Sequence, residues 1–365
     1  HRSKNGRYDT QTVACRYDVV SASSYQPYDH TYLNKCAPYA YRYPMEAQDE
    51  FTTMGDWMCS RLAGRAATHA AGVDGKGAAL SEQTRKFGIL LAPSYADDPS
   101  SNARNLDGMT ARLRQCGAAV DPKNILINPV DNAAGTPGVT ADPSSANNAV
   151  LQMKSRGVTS IACLCNIFAY GALTRAATGQ SYNPEWLAST FGALDCNECI
   201  TLGQPTTDQL AHTLGISFQP RQVRPELEPY NMAIREGDPT RPQQTLTVNV
   251  GNRVEVYRPL LLLASGIQMA GPRLTPATFR AGLLKAQFPN PLTPIFAGAV
   301  SFSSANWAMT TDAHEWWWST TAAGPYSDSS SNPGPLCYVQ SGPRAKIGGR
   351  PTPPIPAAEL SGHPG

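Results

Sequence analysis

The stretch Lys86-Phe-Gly-Ile-Leu-Leu-Ala-Pro93 decides the fold class of this chain. It is a short, uninterrupted apolar run closed by a proline, which predicts a buried β-strand. The next segment, residues 105–116, carries apolar side chains three to four positions apart and is followed by Gly117. This pattern is typical of a helix with a glycine at its C-terminal end. The sequence thus predicts a strand followed by a helix.

The same alternation repeats as far as residue 218. Apolar runs predict further strands at residues 125–130, 159–165, 187–191 and 213–218, and periodic segments predict helices at 145–156 and 170–178. Consecutive strand–helix units form parallel sheets with right-handed crossovers, and such sheets bind ligands beyond the carboxyl ends of their strands. We therefore predict an α/β fold in which residues 86–219 form an autonomous lobe, because all of its strands lie within that segment.

Length and charge restrict the class of protein further. The chain has 365 residues, more than one core usually holds, which favours two lobes. Its formal net charge of +2 gives no reason to expect nucleic acid or an anionic membrane as a partner. No apolar run reaches the length of about 18 residues that a membrane-spanning helix needs. The chain starts at His1 without a signal peptide, as a mature or trimmed product would.

The nine cysteines favour disulfides over a metal site. A moderately charged chain with this many cysteines is typical of an oxidising compartment. The single Cys-x-x-Cys motif, at 196–199, has no second motif or His pair that would complete a zinc site. We predict the pairs Cys36–Cys59 and Cys116–Cys163, because each joins neighbouring elements of a strand–helix unit.

The other cysteines are assigned by spacing. Cys196 and Cys199 could close a tight loop. Cys163 and Cys165 face the same side of one predicted strand and are not expected to bond to each other. The leftover cysteines are then Cys15, Cys165 and Cys337.

Catalytic motifs are incomplete. His314-Glu315 is the opening of a zinc-protease helix, but Trp318 stands where the second histidine is required. No Gly-x-Ser-x-Gly elbow occurs, and the Gly-Lys pair within 72–77 lacks phosphate-loop spacing. Asp97 and Asp98 are adjacent and favour a solvated turn. The sequence therefore predicts a protein that is not an enzyme and that holds no cofactor or metal.

An ordered set of segments carries a family resemblance. The set consists of Val19-Val-Ser-Ala-Ser-Ser-Tyr25, Lys35-Cys-Ala-Pro-Tyr-Ala-Tyr-Arg-Tyr43, Met54-Gly-Asp-Trp-Met-Cys59, Arg85-Lys-Phe-Gly-Ile-Leu90, the strand regions 158–166 and 183–192, Glu315-Trp-Trp-Trp318 and Gly342-Pro-Arg-Ala-Lys346. In this order they resemble the type I periplasmic, or extracellular, solute-binding proteins of the branched-chain amino acid ABC transporter class, in particular actinobacterial ones. The resemblance implies a secreted or cell-surface protein with two lobes that close on a small molecule and deliver it to a transporter permease.

The resemblance also implies a division of the chain. Family members carry a long first-lobe segment ahead of the position of Val19, so the first lobe is expected to be incomplete or to be completed by another chain. The predicted parts are a partial lobe 1 (1–83), lobe 2 (84–220), a hinge return with lobe 1 helices and closing strands (221–342), and a Pro/Gly-rich tail (343–365).

Candidate ligand-binding residues follow the predicted strand ends. They are Ser21, Ser23, Ser24 and Tyr25 on one lobe and Tyr95, Phe168 and Asp195 on the other. Hydroxyls, aromatics and a carboxylate suit an amino acid, an amide or a related acid. The plain alternatives are a polar turn for the serines and a solvated loop or helix cap for Asp195. The rival function is a structural one, in which the same fold is a self-associating subunit of an extracellular filament or assembly.

Overall fold

The computed structural model describes residues 10–23, 29–92, 99–130, 142–219, 229–240, 250–286, 302–320, 336–338 and 345–346. Contacts divide the chain into two compact units. Unit 1 comprises residues 1–50, 97–105 and 218–312, and unit 2 comprises 51–96, 106–217 and 313–365. Each unit is therefore assembled from separate stretches of the chain.

The described strands form one small and one large sheet. The strands are β1 (Ser21–Ser23), β2 (Ala40–Arg42), β3 (Phe87–Ala92), β4 (Ile125–Ile127), β5 (Ser160–Cys165), β6 (Glu185–Ala188), β7 (Thr213–Ser217), β8 (Asp312–Trp318), β9 (Leu336–Tyr338) and β10 (Ala345–Lys346). The helices are α1 (Thr10–Arg16), α2 (His30–Lys35), α3 (Ala47–Trp57), α4 (Pro99–Gln115), α5 (Pro143–Ser155), α6 (Ile167–Gly179), α7 (Asn197–Leu202), α8 (Thr207–Leu210), α9 (Pro229–Gly237), α10 (Val250–Ala270) and α11 (Pro276–Lys285).

Unit 2 is built on the large sheet. Its strand order is β10-β8-β7-β6-β5-β3-β4, and β9 also pairs with β8. The strands from β3 to β7 run parallel to one another. Every residue of β3 and β5 is buried, which explains their continuous apolar sequences, since parallel strands are covered on both faces. The predicted mostly parallel α/β fold is confirmed.

Strand β8 corrects the predicted limits of this lobe. It pairs antiparallel with β7, with Leu214 opposite Trp317 and Ser217 opposite His314. The strands of the sheet are therefore not all contained in residues 86–219, which corrects the reason given for an autonomous lobe, while the division of the chain into lobes stays a prediction. Unit 2 also includes residues 51–83, whereas the predicted lobe began at 84, because this stretch bonds to the sheet region, as where Ala71 N donates to Asn183 O at 2.9 Å.

Helices α5 and α6 cover one face of the large sheet. Their inward side chains, including Val150, Met153 and Tyr170, share a buried core with Cys163 and Trp186 of the strands. The backbone of α6 also touches the chain that follows α7, because a Cβ atom added to Gly171 would lie 1.7 Å from the carbonyl oxygen of Gly203. A glycine at this position is required by that close approach.

Unit 1 contains the parallel pair β1–β2, with Ser21 opposite Ala40. Its core centres on Tyr41, whose ring packs against Phe279, Phe302 and Trp307. Helix α11 begins with a capping box at Thr275 and proline at its first position. Helix α10 runs through Pro259, so the proline neither starts nor ends it.

None of the helices in the described ranges is long and apolar enough to cross a membrane.

The disulfides differ from most of the predicted pairs. The structure pairs Cys15 with Cys36, Cys59 with Cys116, Cys163 with Cys165, and Cys196 with Cys199, and leaves Cys337 free. The predicted pairs Cys36–Cys59 and Cys116–Cys163 are therefore wrong, as is the expectation that Cys163 and Cys165 stay apart. The Cys196–Cys199 pair is the one that the spacing allowed.

Tertiary packing explains the corrected pairs. Helices α3 and α4 approach so closely that a Cβ atom on Gly55 would lie 2.9 Å from Met109 O, and this brings Cys59 next to Cys116. The Cα atoms of Cys163 and Cys165 are 5.0 Å apart, within the range that a disulfide spans.

Candidate functional site

Four parallel strands of unit 2 end at the same edge of the large sheet. These ends are Ala92 in β3, Cys165 in β5, Ala188 in β6 and Ser217 in β7. The residues that follow each strand therefore meet at one edge, where α/β sheets bind their ligands. Phe168 and Asp195 follow β5 and β6 and were predicted from this topology.

Asp195 lies in a hydrogen-bonded cluster at this edge. Its side chain is buried, and its Oδ2 accepts hydrogen bonds from Ser217 Oγ at 2.5 Å and from Thr190 Oγ1 at 2.6 Å. These two hydroxyls come from the end of β7 and from the loop after β6. The carboxylate thus connects the end of β7 to the loop after β6, and it is not the solvated loop residue that was one of the plain alternatives.

The loop that carries Asp195 is held along its length. Ser189 Oγ accepts a hydrogen bond from Phe191 N at 3.2 Å, and Ala193 adopts a left-handed conformation with φ of 58°. A Cβ atom on Gly192 would lie 1.6 Å from the carbonyl oxygen of Cys165, so this loop passes directly over the end of β5. The position of Asp195 is set by backbone contact as well as by its side chain.

Asn166 fixes the start of α6 beside Phe168. Its side-chain oxygen accepts hydrogen bonds of 3.0 Å from Phe168 N and Ala169 N, and its amide nitrogen donates to Ala92 O at 3.2 Å. One side chain therefore joins the end of β3 to the helix that presents Phe168, which is half-buried. We did not identify Asn166 from sequence, although an asparagine before an apolar helical run is an N-cap signal.

His314 is a second residue that sequence reasoning missed at this edge. It lies directly opposite Ser217 in the antiparallel pair of β7 and β8 and is buried. Directly opposed residues in such a pair project to the same face of the sheet. His314 was considered only in a failed zinc-protease motif, because the pairing that brings it to Ser217 is remote in sequence.

The candidate serines of unit 1 are only partly within the described residues. Ser21 begins β1, and its Oγ donates to Tyr39 O at 3.4 Å. Ser23 ends the same strand. Ser24, Tyr25 and Tyr95 lie outside the described residues. The serine loop and Tyr95 remain predictions.

Unit 1 also contains a buried charged cluster that the sequence did not reveal. Glu46 accepts a hydrogen bond from Trp307 N at 2.8 Å through Oε1, and its Oε2 lies 2.8 Å from His30 Nδ1. Burial lowers the pKa of the nearby Arg42 to about 10, an effect opposed by Glu50 and Glu46. Burial and, to a lesser extent, Glu46 raise the pKa of Asp49 to about 6, while His30 opposes the shift.

An open depression of about 610 Å³ lies elsewhere on unit 2. Its lining residues are Gly75, Asn147, Leu151, Lys154, Ser155 and Gln180. Several of these belong to the ends of α5 and α6 that lead into β5 and β6, at the opposite edge of the sheet from Asp195. None of the candidate ligand-binding residues lines it. Within the described ranges, no three His, Cys, Asp or Glu side chains are grouped as a metal site.

Comparison with known proteins identifies the fold. No protein-family model and no curated protein matches the sequence. Among solved structures, the chain is similar to a possible leucine/isoleucine/valine-binding protein from Rhodopirellula baltica, with a TM-score of 0.58 and 13% identity over 90% of this chain and 73% of that one.

Two further structures agree. A branched-chain amino acid ABC transporter protein from Thermus thermophilus with bound valine gives a TM-score of 0.57 and 11% identity over 97% of this chain and 77% of that one. A type 1 periplasmic binding protein from Bordetella pertussis gives a TM-score of 0.51 and 14% identity over 83% and 68%. At these identities the likeness concerns the fold alone: this chain shares the α/β fold of these type I periplasmic binding proteins.

Proposed function

We propose that this protein is a solute-binding protein that captures a small molecule for an ABC transporter. The observation that carries the proposal is the edge of the unit 2 sheet, where Ser217 ends β7 and where Asn166, Phe168 and Asp195 follow the carboxyl ends of β5 and β6. Ligands of open α/β sheets bind at this edge. The role is non-enzymatic, as it is for binding proteins that share this fold.

The ligand that this chemistry favours is an amino acid, an amide or a related acid. The Asp195 carboxylate would pair with an amine and Phe168 would contact an apolar group, and the hydroxyl of Ser21, included by sequence position, suits a carboxylate or amide. Tyr95, Ser23, Ser24 and Tyr25 belong to the same proposal by sequence position. Bound valine in the Thermus thermophilus structure is in keeping with a ligand of this class.

The partner that would receive the ligand is a transporter permease, and the location is secreted or cell-surface. Four disulfides support an oxidising environment outside the cytoplasm, where such bonds persist. Solved proteins with this fold, including one from Desulfitobacterium hafniense, are substrate-binding proteins of ABC transporters.

Calorimetry against a panel of amino acids and small organic acids tests the proposal. Removing a charged or aromatic contact typically costs about 1 to 3 kcal/mol, so Asp195→Asn, Phe168→Ala and Tyr95→Ala should each weaken binding roughly tenfold or more. Asp195→Asn keeps an acceptor for Ser217 and Thr190 while it removes the charge. Asp208→Ala, which removes an exposed carboxylate, is the control and should leave the affinity unchanged.

A structural role is the second candidate, and one surface favours it. Val256, Leu260 and Ile267 lie on one face of α10 and are 59%, 56% and 50% exposed. Exposed apolar stripes often mark contacts between protein chains. Light scattering together with thermal unfolding separates the two functions. A monomer whose melting temperature rises with a ligand of the panel supports the binding protein. A polymer that does not respond to ligand and that Leu260→Glu disperses supports the assembly.

A further inference from the structure

The Cys196–Cys199 disulfide lies directly beside the polar cluster of unit 2. Cys196 follows Asp195 in the chain and is the N-cap residue of α7, and both cysteines are half-buried rather than enclosed. The Cys163–Cys165 pair, by contrast, is 1% and 0% exposed within the sheet. Of these two disulfides, the Cys196–Cys199 pair is therefore the one accessible to a reactant in solution.

The surroundings of the sulfur atoms favour release of a thiolate at Cys196. Its Sγ accepts a hydrogen bond from the backbone N–H of Cys199 at 3.1 Å, so a donor already faces the atom that would carry negative charge. The Cys59–Cys116 disulfide of the same unit differs in this respect. There, the sulfur of Cys59 lies 3.2 Å from Arg112 O, and that of Cys116 lies 3.4 Å from Leu113 O. Carbonyl oxygens oppose a thiolate, whereas an N–H group stabilises it.

We propose that Cys196–Cys199 is a thiol–disulfide exchange site whose reaction partner is a dithiol. One thiolate of the dithiol attacks Cys199 Sγ, a mixed disulfide forms there, and Cys196 leaves as the thiolate that the Cys199 N–H stabilises. The second thiol of the dithiol then attacks the other dithiol sulfur, the one bonded to Cys199 in the mixed disulfide. Cys199 leaves as a thiolate. Two electrons and two protons pass to the protein, and the dithiol becomes a cyclic disulfide.

The result of exchange is local, because α7 is anchored at its other end. Arg175 Nη1 donates to Gly203 O at 2.8 Å and to Gln204 O at 2.6 Å, and Gly203 packs against the backbone of Gly171. Reduction therefore frees the first turn of α7 and the residues before it, which include Asp195 and Thr190. The redox state of the pair sets how firmly the polar cluster is held.

Graded reduction of the folded protein tests the reaction. The protein is incubated with increasing dithiothreitol at neutral pH, alkylated, and mapped by mass spectrometry. Cys196 and Cys199 should be alkylated roughly tenfold faster or more than Cys59 and Cys116, because a stabilised thiolate is the better leaving group. Exposure alone predicts the opposite order, since Cys116 is exposed. Equal rates, or resistance of Cys196–Cys199 until the protein unfolds, would overturn the proposal.

A matched pair of variants tests the local consequence. In Cys196→Ser/Cys199→Ser the hydroxyl at 196 still caps α7, so only the covalent link is lost. Hydrogen exchange of residues 189–199 should rise at least several-fold in this variant, and equally in the reduced protein, while the rest of the sheet stays protected. Cys59→Ser/Cys116→Ser should leave residues 189–199 unchanged. Unaltered exchange in the first variant would show that the disulfide does not hold the cluster. Neither measurement requires a ligand, so the proposed binding function is not tested by their outcome.

Discussion

Arg85 and Glu185 form two parallel hydrogen bonds of 2.7 and 2.8 Å, and both side chains are fully enclosed. Glu185 also accepts hydrogen bonds from Ser160 Oγ at 2.6 Å and from His69 N at 3.2 Å. The pair joins Arg85, two residues before β3, to the first residue of β6 in the interior of unit 2. An enclosed pair of this kind costs much more when one partner is lost than when both are replaced.

Glu185→Leu should lower the free energy of unfolding by about 3 to 5 kcal/mol, because it leaves the Arg85 guanidinium uncompensated in the interior. The double variant Arg85→Met/Glu185→Leu should recover most of that loss. Urea unfolding measures both. Arg112→Ala is the control: its 3.6 Å pair with Asp56 is partly exposed, so the change should cost about 1 kcal/mol or less. A double variant as unstable as the single one would contradict this account.

Gly171→Ala should destabilise the protein strongly, since the added methyl group would meet the carbonyl oxygen of Gly203 at 1.7 Å. We expect a loss of about 3 kcal/mol or more, at the upper end of the cost of overpacking. Gly179→Ala in the same helix is the matched control, because nothing lies within 4 Å of its added Cβ. It should be neutral or stabilise by about 0.4 to 1 kcal/mol. Thermal unfolding of the two variants tests this expectation. Equal melting temperatures would contradict the close approach of Gly171 to Gly203.

Asp49 should make the protein less stable as the pH rises from about 4 to about 6. Burial and Glu46 raise its pKa in the folded protein from 3.8 to about 6, while His30 opposes the shift. Between these values the folded state binds more protons than the unfolded state, so the free energy of unfolding falls with rising pH and then levels off. The upper limit of the loss is about 3 kcal/mol for a shift of about two pH units, and less for a half-buried group. Asp49→Asn should remove this slope, as measured by urea unfolding across the pH range; an unchanged slope would assign it to other groups.

Non-reducing peptide mapping should find Cys15 linked to Cys36 and Cys59 linked to Cys116, with Cys337 as a free thiol. The two links span 21 and 57 residues of sequence. Loops of these lengths stabilise by about 3 and 4 kcal/mol through the unfolded chain. The double serine variant of each pair should lose about that much, and Cys337→Ser should change stability little. A peptide that links Cys36 to Cys59 would show that the structure has the wrong pairing.

The parallel core of unit 2 could be predicted because its signals are local. The apolar run that became β3 is buried on both faces, and so is β5, which makes each strand visible in a short window of sequence. Strand β8 gives no such signal for its partner. Its place beside β7 depends on Leu214 meeting Trp317 across about a hundred residues, and the position of His314 at the candidate site depends on the same pairing.

The sequence predicted where the residues of the candidate site lie along the chain, but it did not predict their hydrogen-bond partners. Asp195 and Phe168 could be placed after strand ends from the alternation alone. That Asp195 accepts hydrogen bonds from Ser217 and Thr190 follows from the packing of the loop after β6 against the end of β7, which no periodicity encodes. The Cys59–Cys116 disulfide was missed for a similar reason, because it depends on the contact between α3 and α4, which are distant in sequence.

The antiparallel pairing of β7 with β8 has a consequence for biosynthesis. A ribosome completes β7 at Ser217 but reaches β8 only at Asp312. At ordinary elongation rates the backbone of β7 stays without its β8 neighbour for roughly 5 to 20 seconds. An unpaired strand edge recruits other strands, so the nascent chain is open to aggregation during this interval and has a need for chaperone cover. Truncation anywhere between these two strands would make that transient state permanent.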